Sequence, residues 1–260
     1  MRSYSGKVGR NKMEIRGKNI LITGSADRVG KSIAIGLAQE GANIAVHYYS
    51  AKQPARATIQ EIAKFGVKAC AFKADFHTIK HIKRLIDQVD HALGSIDVLI
   101  NSASLFFPTP VHSIKESQWD SILHVNLKAA FFCCKYASKY MLKKGNGKII
   151  NISDIGALLP WKFYVPYCIS KAGLIAMTKA LAKEFAPSIL VNAIAPGTIL
   201  PGKKLSPNAI SKLKHKTLLN TIGSPNDIVE CVKFILKSNF TTGSVFIIDG
   251  GQLLKSGTVH

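Results

Sequence analysis

Short continuous apolar runs alternate along this chain with stretches whose apolar residues recur at helical spacing. The run Asn-Ile-Leu-Ile-Thr at 19–23 suits a strand buried on both faces, and Gly24 closes it. Ile33, Ile35, Leu37 and Ala38 then predict a helix over 30–40, stopped by Gly41. The same alternation predicts further strands at 43–48, 67–74, 96–101, 148–153, 190–195 and 244–249. Between them, helices are predicted at 53–65, 79–93, 118–144, 165–185 and 226–236. Strands that alternate with helices in this way pair in parallel, because each parallel pairing needs a crossover. The expected fold is therefore a single α/β domain over 14–260, a doubly wound seven-stranded parallel sheet flanked by helices. A basic tail is expected over 1–13, and a substrate lid over 198–223. In such sheets ligands bind beyond the carboxyl ends of the strands.

Composition narrows the class without naming it. No apolar stretch reaches the eighteen or so residues of a membrane span, and the basic N-terminus lacks the apolar core of a secretory signal. The five cysteines show neither a Cys-x-x-Cys pairing nor zinc spacing, so no metal is expected and a reducing cytoplasm is favoured. The formal charge of +20 is the compositional oddity. Its lysines are scattered, on helix faces such as that of Lys80, Lys83 and Arg84, with no aromatic-interleaved basic stripe. That argues against a nucleic-acid partner and suits recruitment of an anionic small molecule. Within the lid, Lys203, Lys204, Lys212, Lys214 and Lys216 either attract an anionic group or simply form a solvated helix face.

Candidate chemistry clusters at the predicted strand ends. Thr23-Gly24-Ser-Ala-Asp-Arg28-Val29-Gly30 joins the first strand to the first helix. Gly24 permits a tight turn, and Gly30 lets the helix N-terminus approach a pyrophosphate. The second strand ends in Tyr48-Tyr49-Ser50-Ala-Lys52, without the acid that would bond the ribose of NAD. Ser50, Lys52 and Arg28 instead suit a 2′-phosphate, hence NADP(H). Asp75 after the third strand either accepts a bond from the adenine amino group or caps the next helix. Tyr167 and Lys171 stand four apart near a helix start, so they share a face. A neighbouring ammonium would stabilise the phenolate and lower the tyrosine pKa.

These stretches, with Asn101-Ser102-Ala103-Ser104, Asn126 and Pro196-Gly197, resemble the short-chain dehydrogenase/reductase family over about 17–254. The resemblance implies a Rossmann fold, usually a homotetramer, and hydride delivery from a nicotinamide. It places Thr23, Gly24, Arg28, Val29 and Gly30 at the cofactor phosphates and Tyr48, Tyr49 and Ser50 beside the ribose. Asp75 and Phe76 would lie by the adenine, and Asn101, Ser102, Ala103, Lys171, Pro196 and Gly197 along the rest of the cofactor. Tyr167 becomes the proton donor, and Asn126 holds a water linked to Lys171.

Three departures from the family pattern resemble one subgroup, the pteridine reductases. Asp154 stands thirteen residues before Tyr167, where the family usually has serine. Arg28 replaces the middle glycine of the turn, and Ser104 leads into Leu105-Phe106-Phe107-Pro108-Thr109-Pro110. Asp154 would orient Tyr167 and relay protons to a ring nitrogen. Phe106 would sandwich a pterin against the nicotinamide, unless it serves only loop packing. Arg28 and Ser104 would bond the ring edge or the cofactor phosphates. The alternative activity is carbonyl reduction, for instance of a 3-oxoacyl carrier protein, against which a carboxylate beside a developing alkoxide counts.

Overall fold

The computed structural model describes residues 13–200 and 206–255. Its sheet has the order β3-β2-β1-β4-β5-β6-β7, all pairs parallel. The strands are β1 (Asn19–Ile22), β2 (Asn43–Tyr48), β3 (Ala69–Lys73), β4 (Val98–Asn101), β5 (Gly147–Ile152), β6 (Ile189–Pro196) and β7 (Val245–Ile248). Helices α1 (Arg28–Gln39), α2 (Lys52–Ala63) and α8 (Pro225–Lys237) belong to one face. Helices α3 (Ile79–Leu93), α5 (Ala129–Lys144) and α6 (Val165–Phe185) belong to the other. The seven strands and the doubly wound arrangement match the sequence expectation.

Strand pleating explains how one sheet serves two cores. Ile20 and Ile22 of β1 enter the first core, whereas Leu21 between them enters the second. The same alternation sends Ile44 and Val46 one way and Ala45 the other. Because the central strands β1 and β4 are buried on both faces, apolar residues fill most of their positions rather than every second one. The edge strands β3 and β7 are only partly buried. The chain winds outward in both directions from β1, so β1 and β4 flank the point where strand order reverses.

Two predicted features change. The helix expected over 118–144 is α4 (Glu116–Leu123), a π turn (His124–Lys128) and then α5. Helical periodicity runs through all three, so sequence spacing alone does not reveal the wider turn. Its one buried residue, Asn126, is the family's asparagine. In the tail, residues 1–12 lie outside the described residues, whereas Met13 already packs against the first core. In the segment expected to be a lid, α7 (Pro207–Lys214) starts from a Ser206 cap, while Lys203 and Lys204 lie outside the described residues. Gly223 N donates back to Thr198 O, closing that segment on itself.

Helices α1 and α8 meet where Gly36 leaves room for Val229. A Cβ at Gly36 would lie 2.4 Å from Val229 Cγ1, and a helical valine has little rotamer freedom with which to yield. We expect Gly36→Ala to destabilise the fold by about 1–3 kcal/mol in denaturant unfolding, with Val229→Ala added to it recovering part of the loss. An unchanged midpoint for the single variant would show that the two helices separate at no cost.

Candidate active site

The site lies along the carboxyl edge of the sheet. At its centre, β5 stops at Ile152 and the chain stays extended through Asp154, with φ −168° and ψ 154°. Alternation therefore separates the two neighbours that sequence spacing alone could confuse. Ser153 Oγ donates to Lys171 O at 2.9 Å, away from the tyrosine hydroxyl. Asp154 points the other way: Oδ1 accepts from Gly156 N at 2.7 Å, and Oδ2 accepts from Tyr167 Oη at 3.0 Å. The thirteen-residue spacing thus brings the carboxylate, not the serine, to the tyrosine.

Tyr167 and Lys171 share the inner face of α6 and are both buried. The expected depression of the tyrosine pKa is corrected here. Burial, and then the neighbouring Asp154 carboxylate, push the Tyr167 phenol well above its ordinary value. The Lys171 ammonium donates to Ile152 O at 3.0 Å and stands 5.6 Å from the centre of the Tyr167 ring rather than on its oxygen. Burial lowers the lysine to about 8, partly countered by Asp154. Burial also raises Asp154, against the opposing pull of the Gly156 N–H, Lys171 and Tyr167. The result is a tyrosine held in its acid form beside a carboxyl group that takes up a proton more readily than an exposed one.

Asn126 ties the loop after β4 to α6. Its Oδ1 accepts from Leu105 N at 2.7 Å, and its Nδ2 donates to Leu105 O at 3.0 Å and Ser170 Oγ at 3.1 Å. Ser170 Oγ in turn donates to Tyr167 O. The geometry thus gives Asn126 a bracing role, in addition to the water-holding role that the family resemblance implies. Phe106, just beyond this brace, is 54% exposed. One face of its ring stacks on Tyr164 with centroids 4.6 Å apart, and Tyr167 meets it edge-on at 4.8 Å. Trp161 completes the wall, stacked on Tyr167 at 6.0 Å. Sequence reasoning missed Trp161 and Tyr164; the signal was the aromatic density of the segment between Asp154 and Tyr167. Ser104 lies exposed on the same loop.

The phosphate turn is tight enough to demand its glycines. Gly24 has φ +65°, and a Cβ there would lie 2.7 Å from Ala103 Cα. A Cβ on Gly30 would lie 2.5 Å from Gly24 O. Thr23 Oγ1 accepts from the N–H groups of both Ser102 and Ala103, fixing the turn against the end of β4. Val29 and Gly30 form the first turn of α1, where helix N–H groups suit an anion. Arg28 adopts a positive φ of 56°, a conformation the family's glycine adopts without strain, and its Nη2 donates to Leu200 O at 2.9 Å. The guanidinium therefore bridges the turn and the segment that follows β6. Tyr49 and Ser50 are exposed beyond β2, whereas Tyr48 packs against the core. Gly197 N donates to Ile248 O, which places Pro196 and Gly197 at the rim beside β7. Asn101 Nδ2 donates to Asn151 Oδ1 at 2.9 Å, while its buried Oδ1 has no hydrogen-bond partner among the described residues. The glycine turn against Ala103 and the missing acid after β2 fit a phosphorylated dinucleotide.

Two expected roles shift at the adenine end. Asp75 does not cap α3, whose N-cap residue is Thr78; its Oδ1 accepts instead from His77 N and His77 Nδ1, each at 2.9 Å. The Phe76 ring is buried and stacks on His47, with centroids 4.1 Å apart and planes 5° from parallel. His47 itself escaped sequence reasoning. Its Nδ1 accepts from Gly24 N at 3.0 Å, so its Nε2 carries the proton and donates to Ala74 O at 3.1 Å. One neutral imidazole thus joins the ends of β1, β2 and β3, and nothing in a lone histidine within an apolar strand announces that.

Fold and site together define the class of a dinucleotide-binding oxidoreductase. A family profile described as enoyl-(acyl carrier protein) reductase matches residues 24–252. The chain belongs to the short-chain dehydrogenase/reductase family. It is 34% identical over 244 residues to the 3-oxoacyl-[acyl-carrier-protein] reductase FabG of Staphylococcus aureus, covering 91% of this chain and 98% of the relative. It is 31% identical over 252 residues to 3beta-hydroxysteroid dehydrogenase 1 of Eggerthella lenta, covering 94% and 97%. Among solved structures, a short chain dehydrogenase from Burkholderia cenocepacia in complex with NADP superimposes with a TM-score of 0.86 at 27% identity, covering 92% and 99% of the two chains. These relatives back the carbonyl alternative better than the pteridine reductase subgroup. No helix among the described residues is long and apolar enough to cross a membrane, and no cluster there could hold a metal ion.

The buried imidazole makes a pH prediction. Burial lowers His47 from its ordinary 6.5 to about 4, against a weaker opposing bond from Ala74. The folded state thus favours the neutral ring, and its contribution is complete above pH 6.5. As pH falls from there to about 4, the unfolded chain gains a proton that the folded chain resists. Stability should decline by up to about 3 kcal/mol over that window. Urea unfolding of the wild type and His47→Gln at several pH values isolates the effect, since the variant lacks this part of the slope. Equal slopes would show that His47 is not the group responsible.

Proposed function

We propose that this protein is an NADP(H)-dependent reductase in which Tyr167 delivers a proton to the ring nitrogen of a pterin-like heterocycle. The observation that carries this reading is the 3.0 Å hydrogen bond between Tyr167 Oη and Asp154 Oδ2, where a ketone reductase of the family would place a serine. The nicotinamide supplies the hydride. Tyr167 supplies the proton, kept available by the raised pKa of its phenol. Asp154 orients the hydroxyl and, when it carries a proton itself, donates to Tyr167 Oη and frees the tyrosine hydrogen to turn toward the substrate. Lys171 adds a buried positive charge behind the phenol. The half-exposed ring of Phe106, backed by Tyr164, offers its remaining face to a planar substrate. Arg28 and Ser104 are assigned to polar edges of that ring or to the cofactor phosphates.

NADP(H) is supported by Ser50 and Lys52 after β2 with no acid among them, and by the NADP complex of the Burkholderia cenocepacia relative. Asp75 is assigned to the adenine amino group. The domain reading of one catalytic unit over 14–260, with a lid over 198–223, is part of the same proposal. A homotetramer is supported by the apolar Phe131 and Ile169, exposed on α5 and α6.

A second reading is reduction of a 3-oxoacyl thioester on a carrier protein. The name of the Staphylococcus aureus relative favours it, as does one observation at the site. Burial raises Asp154, and a protonated carboxyl could stand beside a developing alkoxide as a donor without repulsion.

Loss of NADPH absorbance with dihydrobiopterin, dihydrofolate and an acetoacetyl thioester, assayed in parallel, separates the two. We expect turnover of a pterin; turnover of the thioester alone would end the heterocycle reading. Tyr167→Phe should lower the rate by at least about 100-fold while NADPH still binds. A near-normal rate would place the proton donor elsewhere. Asp154→Ser should slow pterin reduction by about 100-fold and spare NADPH affinity, and an unchanged pterin rate would remove Asp154 from the relay.

A further inference from the structure

Asp75 is held by one neighbour in an unusual way. Two donors of His77, its backbone N–H and its ring Nδ1–H, converge on the same carboxylate oxygen, Oδ1. Among the described residues Oδ2 accepts no hydrogen bond. A carboxylate only accepts, so Nδ1 must carry a proton, and Nε2 meets Ser121 Oγ at 2.8 Å. A serine hydroxyl both donates and accepts, so this contact survives whether the ring is neutral or charged. Ser121 belongs to α4, which runs directly into the π turn that carries Asn126. The ring of His77 is thus a strut between the end of β3 and α4, and the oxygen it leaves free belongs to the group assigned to the adenine.

The bland explanation is that the pair stabilises the fold. Both side chains are substantially exposed, 44% for His77 and 32% for Asp75. An exposed ion pair of that kind contributes little to stability. A strut that adds little stability but fixes one carboxylate rotamer instead suits recognition, because a preorganised acceptor loses less freedom when its ligand arrives.

We propose that His77 is a positioning residue for cofactor recognition: it occupies Oδ1 of Asp75, locks the carboxylate against α4 through Ser121, and so presents Oδ2 to the 6-amino group of the adenine. This rests on the assignment of Asp75 to the adenine. The backbone bond from His77 is available to any residue at that position, whereas the ring contacts are not. Replacing the ring should therefore loosen the carboxylate without removing it.

The test compares two dinucleotides that differ at the recognised 6-position and, with it, in the proton on the adjacent N1. NADPH and reduced nicotinamide hypoxanthine dinucleotide phosphate, which has a carbonyl in place of the 6-amino group, are titrated by nicotinamide fluorescence. The wild type should prefer NADPH by about tenfold, the value of a hydrogen bond to a charged acceptor. His77→Leu should weaken NADPH binding about fivefold, leave the hypoxanthine dinucleotide nearly unaffected and so collapse the preference. His77→Gln, which retains an amide donor, should restore part of it.

An equal loss for both dinucleotides in His77→Leu would mean general damage and overturn the proposal. A preference that survives His77→Leu but vanishes in Asp75→Ala would also overturn it, while leaving the adenine assignment intact. No preference in the wild type would sink the assignment and the proposal together. Failure of the wild type to bind either dinucleotide would remove the cofactor reading itself.

Discussion

The parallel sheet is the constraint on which the remaining structure depends. Parallel strands send every carboxyl end to the same edge, and burial on both faces leaves that edge as the place where backbone and polar side chains can gather. Thr23 at the end of β1, Asn101 at the end of β4 and Asp154 just past β5 reach the site for that reason. None is close to another in sequence, yet Thr23 Oγ1 binds the backbone that follows Asn101, and Asn101 binds Asn151 of β5. The site is a seam of hydrogen bonds laid along one edge, with α6 closing it from above through Tyr167 and Lys171.

Burial decides the electrostatics of this seam. It favours the neutral form of each group it encloses, lowering Lys171 and His47 and raising Tyr167 and Asp154. At Tyr167 this keeps the phenol protonated, as the proposed role of proton donor requires. At His47 it is structural, because only the neutral ring can accept from Gly24 N while donating to Ala74 O. The same desolvation therefore serves both the chemistry at Tyr167 and the shape of the phosphate turn.

The family's activity spans carbonyl and other substrates, and what distinguishes this chain is local. Asp154 in contact with Tyr167 and the wall of Phe106, Trp161 and Tyr164 lie together, and Arg28 stands in the turn after β1 as a non-glycine residue at positive φ. Overall identity weighs each of some two hundred and forty aligned positions alike and points to a 3-oxoacyl reductase. The proposed heterocycle rests on a handful of positions around Tyr167. Overall identity chiefly follows the fold, which this family shares across substrates, whereas substrate choice is set where the atoms react.

By itself the sequence determined the alternation of strands and helices, the phosphate turn and the pairing of Tyr167 with Lys171. These are short-range properties: pleat and helix periodicity, backbone freedom at glycine, and four-residue spacing on one helix face. Through the family resemblance it also placed Asp154 rather than Ser153 beside the tyrosine, and Asp154 Oδ2 accepts from Tyr167 Oη. Tertiary structure decided what those residues do to one another. It wound the π turn around Asn126, raised rather than lowered the Tyr167 pKa, turned Asp75 from helix cap to a partner of His77, and made His47 the joint of three strands. Each depends on contacts between segments distant along the chain and on the exclusion of water from between them, and neither is written in the local pattern of residues.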